Sequence, residues 1–170
     1  MKKNYEIKCK LSADGYSKCK ELLSAIKSFQ YSLEKQKDIY YKVNKGRLKL
    51  RIINDEHSNL IFYNREEKSL KRISNYLLSS SNDHNELEEI LGSQFKILIT
   101  VNKKREIYIK KNIRIHLDLV KGLGKFLEIE VIYDNLASAK IQMEKIINFL
   151  NLSETEFIKV SYSDLLNKKN

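Results

Sequence analysis

The chain has 170 residues, 42% of them hydrophobic, and its 32 basic and 22 acidic residues give a net charge of +10. This composition excludes an intrinsically disordered chain, and because no apolar run approaches 18 residues it predicts no membrane span. Cys9 and Cys19 form neither a disulfide framework nor a CxxC metal motif, and no signal peptide is visible, so we expect a cytoplasmic protein with reduced thiols.

The predicted elements follow one another without proline, repeats or a linker, which favours a single domain over residues 1–170. β-Branched and aromatic segments predict strands at 4–10, 31–43, 46–53, 59–65, 69–79, 96–111, 113–120 and 125–133. Apolar residues at helical spacing predict helices after the capping residues Ser12 and Asp83, at 135–152, and in part of the tail at 153–169.

Charged residues alternate with apolar residues in strand after strand. In "GRLKLRI", Arg47, Lys49 and Arg51 share one face of the strand and three aliphatic residues share the other. Similar alternation groups Asn4, Glu6, Lys8 and Lys10; Lys103 and Arg105; Arg114, His116 and Asp118; and Glu128 and Glu130. About eight strands with only three or four helices predict an α+β fold: a mostly antiparallel eight-stranded β-barrel with flanking helices, apolar outside and charged within.

The carboxylates on these strands indicate a second kind of site. Glu128 and Glu130 share one strand face, and two buried carboxylates are costly unless they meet a cation or water. Clustered carboxylates bind hard divalent cations, whereas Arg and Lys hold phosphate oxygens. A lumen that combines the two therefore suits a metal-complexed polyphosphate, with Mg²⁺ or Mn²⁺ as the expected cofactor.

Several strings resemble the CYTH family, also called triphosphate tunnel metalloenzymes. The resemblance is carried by "QKDIYYKVNKGRLKLR", "VNKKREIY", "RIHLDLVKGLGKFLEIE" and the late "SYSDLL", and it spans residue 4 to about residue 166. It is greatest to the class IV adenylyl cyclase-like branch of this family, which also includes thiamine triphosphatases and inorganic triphosphatases. The resemblance implies an eight-stranded tunnel that binds an organic triphosphate with a divalent metal.

The resemblance also implies roles for individual residues. The implied triphosphate-binding residues are Lys8, Lys10, Lys49, Arg51, Arg65, Lys103 and Arg105, with Lys8, Arg51, Lys103 and Arg105 as the catalytic set. The implied metal ligands are Glu6, Glu128 and Glu130, with Asp118 as a further acidic position. Asn4 occupies the position of the first glutamate in the family signature Glu-x-Glu-x-Lys, so this chain offers an uncharged oxygen there.

His116 has two interpretations. It could act as a general base or contact the substrate, and we include it among the substrate-binding candidates. The interpretation that we favour for its ring is a residue of the tunnel wall, hydrogen-bonded to Asp118 or another neighbour.

Three functions remain open at this point. The first is an Mg²⁺- or Mn²⁺-dependent cyclase that converts ATP to cyclic AMP and pyrophosphate. The second is a triphosphate phosphohydrolase of the thiamine or inorganic triphosphatase type. The third is a non-catalytic module that binds a triphosphate or polyphosphate, which Asn4 favours. Nucleic acid is not expected as the partner, because the basic residues are phased inside strands rather than clustered on one exposed helix. A homodimer is a reasonable expectation for such a protein.

Overall fold

Eight β-strands and four α-helices make up the fold of the described residues, 2–65 and 69–168, in the computed structural model. The strands are β1 (Lys2–Lys10), β2 (Gln30–Tyr41), β3 (Arg47–Ile53), β4 (His57–Arg65), β5 (Arg72–Ser81), β6 (Ile97–Lys110), β7 (Ile113–Val120) and β8 (Gly124–Ile132). The helices are α1 (Ala13–Ser24), α2 (His84–Gln94), α3 (Leu136–Phe149) and α4 (Tyr162–Asn167), with a turn of 3-10 helix at Glu154–Glu156.

The strands form a closed barrel in the order β1-β5-β4-β3-β2-β6-β7-β8. Every neighbouring pair is antiparallel, and β1 closes the ring by pairing with both β5 and β8. The expected α+β fold with an eight-stranded barrel is therefore confirmed. None of the helices in the described part of the chain is long and apolar enough to cross a membrane.

The outward faces of the strands pack beneath the helices. Ile7 and Cys9 of β1 lie in one core cluster with Leu23 of α1 and Met143 of α3. On another side of the barrel, Leu91 of α2 packs on the outward residues of β2 and β3. Because side chains alternate across a strand, this arrangement turns the polar faces of the same strands into the barrel.

The helices begin where their capping residues stand. Ser12 and Asp83 accept hydrogen bonds from backbone N–H groups of the first turns of α1 and α2, as the sequence predicts. Cys9 and Cys19 are buried thiols that form no disulfide.

Part of the apolar outer face of the barrel is exposed. Leu33 of β2 and Leu77 of β5 are each 56% exposed. The last helix has a different position from the others. Tyr162, the first residue of α4, packs its ring on Phe126 of β8, with 4.9 Å between the ring centroids.

Candidate active site

The inward faces of the strands line one cavity in the barrel. Six basic residues contribute to its lining: Lys8, Lys49, Arg51, Lys103, Arg105 and Arg114. Four acidic residues contribute as well: Glu6, Asp38, Glu128 and Glu130. Counted by formal charge, the described lining of the cavity thus has a surplus of two positive charges. The converging charged faces predicted from strand periodicity meet in this cavity.

Asp38 of β2 organises the basic side of the cavity. Its carboxylate accepts hydrogen bonds from Lys49 Nζ at 3.1 Å, from Lys103 Nζ at 2.7 Å, and from Arg51 Nε and Nη2 at 2.7 and 2.9 Å. Burial disfavours the ionised carboxylate, but Arg51, Lys103 and Lys49 outweigh burial and hold the pKa of Asp38 well below its usual range. Three phosphate-binding candidates are therefore fixed around one buried anion.

Lys103 responds differently to the same surroundings. Burial lowers its pKa well below the usual range, and the neighbouring Arg51 and Arg105 lower it further, although Asp38 opposes the shift. Its ammonium consequently gains from any additional negative charge that enters the cavity.

The acidic side of the cavity lies on β1 and β8. Glu128 accepts a hydrogen bond from Arg105 Nη2 at 2.7 Å and lies 3.2 Å from Lys8 Nζ. Asn4 Nδ2 donates to Glu130 Oε2 at 3.2 Å, so the residue at the signature's first position holds one of the candidate metal ligands. Burial and the nearby Glu128 raise the pKa of Glu6 to about 7. A divalent cation close to Glu6 would lower this pKa, because it favours the ionised carboxylate.

Asp118 is buried, and its carboxylate accepts three hydrogen bonds. Its carboxylate accepts from Arg105 Nε at 2.7 Å and Nη2 at 2.6 Å, and from the hydroxyl of Tyr162 at 2.7 Å. Tyr162 lines the cavity and lies under Lys8, whose Nζ is 3.8 Å from the ring centroid. The ligand role expected for Asp118 would compete with these bonds, whereas the structure gives Asp118 the part of orienting Arg105.

The remaining site candidates are Lys10, Arg65 and His116. Lys10 is exposed at the end of β1 and does not line the cavity. The side chain of Arg65 lies outside the described residues. His116 is buried in the wall, and its Nδ1 lies 3.6 Å from Glu128 Oε2, so its polar neighbour is Glu128 rather than Asp118.

A second wall of the cavity has a different chemical character. Ile61 and Tyr63 of β4 and Tyr76 and Leu78 of β5 line it, and the pairs Ile61–Leu78 and Tyr63–Tyr76 are register neighbours. Ile61 is also the register neighbour of Lys49 in β3, so the apolar wall begins next to the basic cluster. Tyr76 and Leu78 lie in the strand predicted at 69–79, but nothing in their sequence pattern indicates a role in the site.

The donor atoms fit a divalent cation. One ligand atom each from His116, Glu128 and Glu130 lies within 4.8 Å of the others, and Glu6 lines the same cavity. Carboxylate oxygens are the usual ligands of Mg²⁺ and Mn²⁺. These residues are therefore the ones that could hold the metal.

Comparison with known proteins gives consistent results. The family model described as the CYTH domain matches residues 2–162. A curated Methanocaldococcus jannaschii protein, named as a "putative adenylate cyclase", is 40% identical over 74 residues, which span 42% of this chain and 42% of that protein. The alignment thus spans less than half of the length of that relative.

Solved structures resemble the chain over nearly its full length. A Pyrococcus horikoshii protein of known structure is 25% identical, with a TM-score of 0.83, and the match covers 97% of this chain and 99% of that one. An RNA triphosphatase of S. pombe, solved in complex with the Spt5 CTD, is 14% identical with a TM-score of 0.51, covering 99% of this chain and 77% of the other. The second likeness concerns the fold alone.

Proposed function

The chain belongs to the CYTH domain family, and from this premise we propose that it is a divalent-metal-dependent, class IV adenylyl cyclase-like enzyme that converts ATP to cyclic AMP and pyrophosphate. The observation that carries the proposal is the charge of the cavity, where six basic and four acidic side chains leave a surplus of two positive charges. A triphosphate carries about four negative charges near neutral pH, and one divalent cation reduces this to about two. The cavity therefore complements a metal-bound triphosphate.

The basic residues would hold the phosphates. Lys49, Arg51 and Lys103 are already oriented by Asp38, so they can meet phosphate oxygens with little further ordering. Arg105 is oriented in the same way by Asp118 and, with Lys8, would reach the phosphates beside Glu128. Such preorganised cations stabilise the charge that develops during phosphoryl chemistry.

Glu6, Glu128 and Glu130 would hold the metal against the phosphate oxygens. When bound, the metal supplies neutralisation of phosphate charge and alignment of the reacting groups. In the cyclase reaction the ribose 3′-oxygen forms a bond to the α-phosphorus. The bond from that phosphorus to the bridging oxygen breaks, pyrophosphate leaves with that oxygen, and the hydroxyl proton passes to solvent.

The apolar wall supports an organic triphosphate as the substrate. Ile61, Tyr63, Tyr76 and Leu78 would contact an uncharged ring better than a chain of phosphates, since apolar and aromatic side chains gain from excluding water from a ring. An inorganic triphosphate would leave this wall unused.

The test is an assay of the purified chain with Mg²⁺ or Mn²⁺ and a panel of ATP, thiamine triphosphate and tripolyphosphate, with products resolved by chromatography. We expect cyclic AMP and pyrophosphate from ATP. Orthophosphate and a diphosphate product would support the triphosphatase instead, and binding without any product under either metal would support the binding module.

We also propose that residues 1–170 are one CYTH-like domain, that the protein is cytoplasmic, and that it forms a homodimer. The two buried thiols, Cys9 and Cys19, are consistent with a reducing compartment. Sedimentation of the purified chain would measure the oligomeric state directly.

A further inference from the structure

An imidazole nitrogen in the wall of the barrel faces two carboxylates. His116 of β7 is 5% exposed and is the register neighbour of Glu128 in β8. Its Nδ1 lies 3.6 Å from Glu128 Oε2 and 4.0 Å from Glu130 Oε1, and both distances are longer than an ordinary hydrogen bond. The three side chains thus converge on one point without closing a short hydrogen bond there, which leaves room for a cation between them.

We propose that His116 Nδ1 is a ligand of the divalent cation, together with Glu128 and Glu130, and that this site selects a first-row transition ion such as Mn²⁺ over Mg²⁺. The inference rests on the proposed function, which requires a metal in this cavity. It names a nitrogen ligand where the family resemblance implies carboxylates alone.

The separations between the donor atoms suit a shared ion. Two ligand atoms that each lie at about 2.1 Å from one ion are at most about 4.2 Å apart. The distances of 3.6 and 4.0 Å from His116 to the two glutamates meet this limit. The ligand atoms of the three residues all lie within 4.8 Å of one another, so a small movement of one side chain completes the set.

The hydrogen bonds around the glutamates leave oxygens for the ion. Asn4 binds Oε2 of Glu130, and the other oxygen, Oε1, is the one nearer to His116. In Glu128 the oxygen nearer to His116, Oε2, also accepts from Arg105, and Oε1 lies 3.2 Å from Lys8. Because a carboxylate has about four lone-pair sites, the ion would share Oε2 with Arg105. The neighbours of both glutamates thus orient them without occupying them fully.

The nitrogen donor determines the preference for one metal over another. Mg²⁺ prefers oxygen ligands and loses its waters reluctantly, whereas the divalent first-row transition ions also accept imidazole, with affinity rising from Mn²⁺ towards Cu²⁺. One imidazole and two carboxylates therefore favour Mn²⁺ over Mg²⁺. A site with carboxylates alone would discriminate less between the two ions.

The experiment measures the metal itself, without substrate. Mn²⁺ and Mg²⁺ are titrated into the purified chain by calorimetry, and bound Mn²⁺ is examined by electron spin-echo spectroscopy for modulation from a directly coordinated nitrogen. The variant is His116→Leu, and the matched control is His57→Gln, which alters a histidine of β4 that does not line the cavity.

We expect nitrogen modulation in the wild type and in the control, and its loss in His116→Leu. We also expect Mn²⁺ to bind at least about tenfold more tightly than Mg²⁺, and His116→Leu to weaken Mn²⁺ about tenfold or more while changing Mg²⁺ much less. Absence of nitrogen modulation from bound wild-type Mn²⁺ would overturn the inference even if the variant failed to fold. Binding of both ions with equal affinity would overturn the selectivity but leave the proposed function intact, whereas binding of neither ion would contradict the metal dependence of the proposed function itself.

Discussion

Asp38 binds three basic side chains of the cavity, although its own negative charge cannot bind a phosphate. Its bonds to Lys49, Arg51 and Lys103 make it a positioning residue for the proposed phosphate site. Without a ligand, Asp38 is also the anion that keeps these cations from repelling one another. The same carboxylate therefore serves both stability and the proposed function.

Replacing Asp38 by Asn should destabilise the ligand-free protein. The change leaves three buried cations without their counter-ion, and breaking a buried ion pair in this way typically costs about 3–5 kcal/mol. Chemical denaturation measures this cost, with Asp134→Asn as the exposed control. Tripolyphosphate should restore more stability to Asp38→Asn than to the wild type, and equal restoration in both would contradict the role of Asp38.

Replacing Glu130 by Gln tests the metal site. The amide keeps the size of the side chain and removes its charge, so we expect a folded protein that has lost metal-dependent turnover. Circular dichroism and the product assay measure the two properties. Glu88→Gln on α2, where Glu88 pairs with Lys37 outside the cavity, is the control and should retain full activity. Wild-type rates in Glu130→Gln would remove Glu130 from the metal site.

The sequence predicted which strand faces carry the site better than it predicted individual partners. Alternation in β3, β7 and β8 places Arg51, His116 and Glu130 on inward faces because the side-chain period of a strand is two. Periodicity says nothing about depth along the barrel, so it could not separate Lys10, at the exposed end of β1, from Lys8 inside. Asp38 was missed because it is a single carboxylate between Lys37 and Ile39. Its phase with Tyr40, which pairs in register with Lys49, was the available signal.

At the scale of the elements, the turn between β2 and β3 depends on Gly46. Its φ of +66° lies in the left-handed region, and a Cβ there would lie 2.5 Å from Asn64 Oδ1 and 2.8 Å from ring carbons of Phe62. The turn sets the register of β3, which carries Lys49 and Arg51. Glycine is therefore required at this position for both conformation and space.

Gly46→Ala and Gly92→Ala should have opposite effects. The first combines a left-handed backbone, which costs roughly 1–2 kcal/mol for an alanine, with contacts that must shift. The second lies in α2 with nothing within 4 Å of the added Cβ, so alanine should stabilise the helix by roughly 0.5–1 kcal/mol. Thermal unfolding measures whether each variant is more or less stable than the wild type. A destabilised Gly92→Ala would contradict the expectation that glycine weakens α2.

The helix α4 is held to the barrel by an ion pair that acid should weaken. Asp164 lies 3.0 Å from Arg47 Nη1 and accepts the backbone N–H of Ser161 in a capping box. Burial opposes ionisation, but Arg47 and Ser161 outweigh it and lower the pKa of Asp164 from 3.8 to about 2. Because the folded-state pKa is lowered, the stabilisation is complete above pH 3.8 and is lost as the pH falls through about 2.

We therefore expect the wild type to exceed Asp164→Asn in unfolding free energy by a constant amount above pH 4, and the difference to vanish towards pH 2. Denaturation at a series of pH values measures it. Asp55→Asn, which alters an exposed aspartate, is the control. A difference that stays constant down to pH 2 would show that the Asp164 carboxylate does not stabilise the folded state through its charge.

At the scale of the whole molecule, charge is the dominant feature. The chain carries +10, and within that total the described lining of the cavity has two more basic than acidic residues. Like charges repel over distances that salt controls, with a screening length of about 8 Å at physiological ionic strength and about 30 Å at 0.01 M. The ligand-free protein is consequently least stable in dilute buffer.

Raising the KCl concentration from about 10 to about 150 mM should raise the Tm of the ligand-free protein, since this shortens the screening length about fourfold. Tripolyphosphate at a far lower concentration should raise the Tm more than KCl does, because it binds the folded state and neutralises the cavity directly. Differential scanning calorimetry measures both shifts, with sulfate as the control anion. A Tm that fell with salt would show that ion pairs outweigh repulsion in the whole molecule.

The strands and the closed ring were predictable because segments of strand propensity outnumbered the helices that could cover an open sheet. The uncovered outer face around Leu33 and Leu77 was not predictable, because the sequence contains the apolar residues but not the positions of the helices over them. The apolar wall on β4 and β5 was not predicted, for a related reason. Ile61 and Leu78 have the composition of ordinary core residues, and only the register shows that they face the cavity.

The position of β1 in the ring has a consequence for synthesis of the chain. β1 pairs with β5 on one side and with β8 on the other, where Asn4 meets Ile132. On the ribosome, β1 emerges first and its pairing with β8 must wait until residues 124–132 have been made. Until then the ring has seven strands and an open seam between β7 and β1, and the cavity lacks Glu128 and Glu130, two of its four acidic lining residues. The proposed metal site can therefore form only after β8 joins the ring.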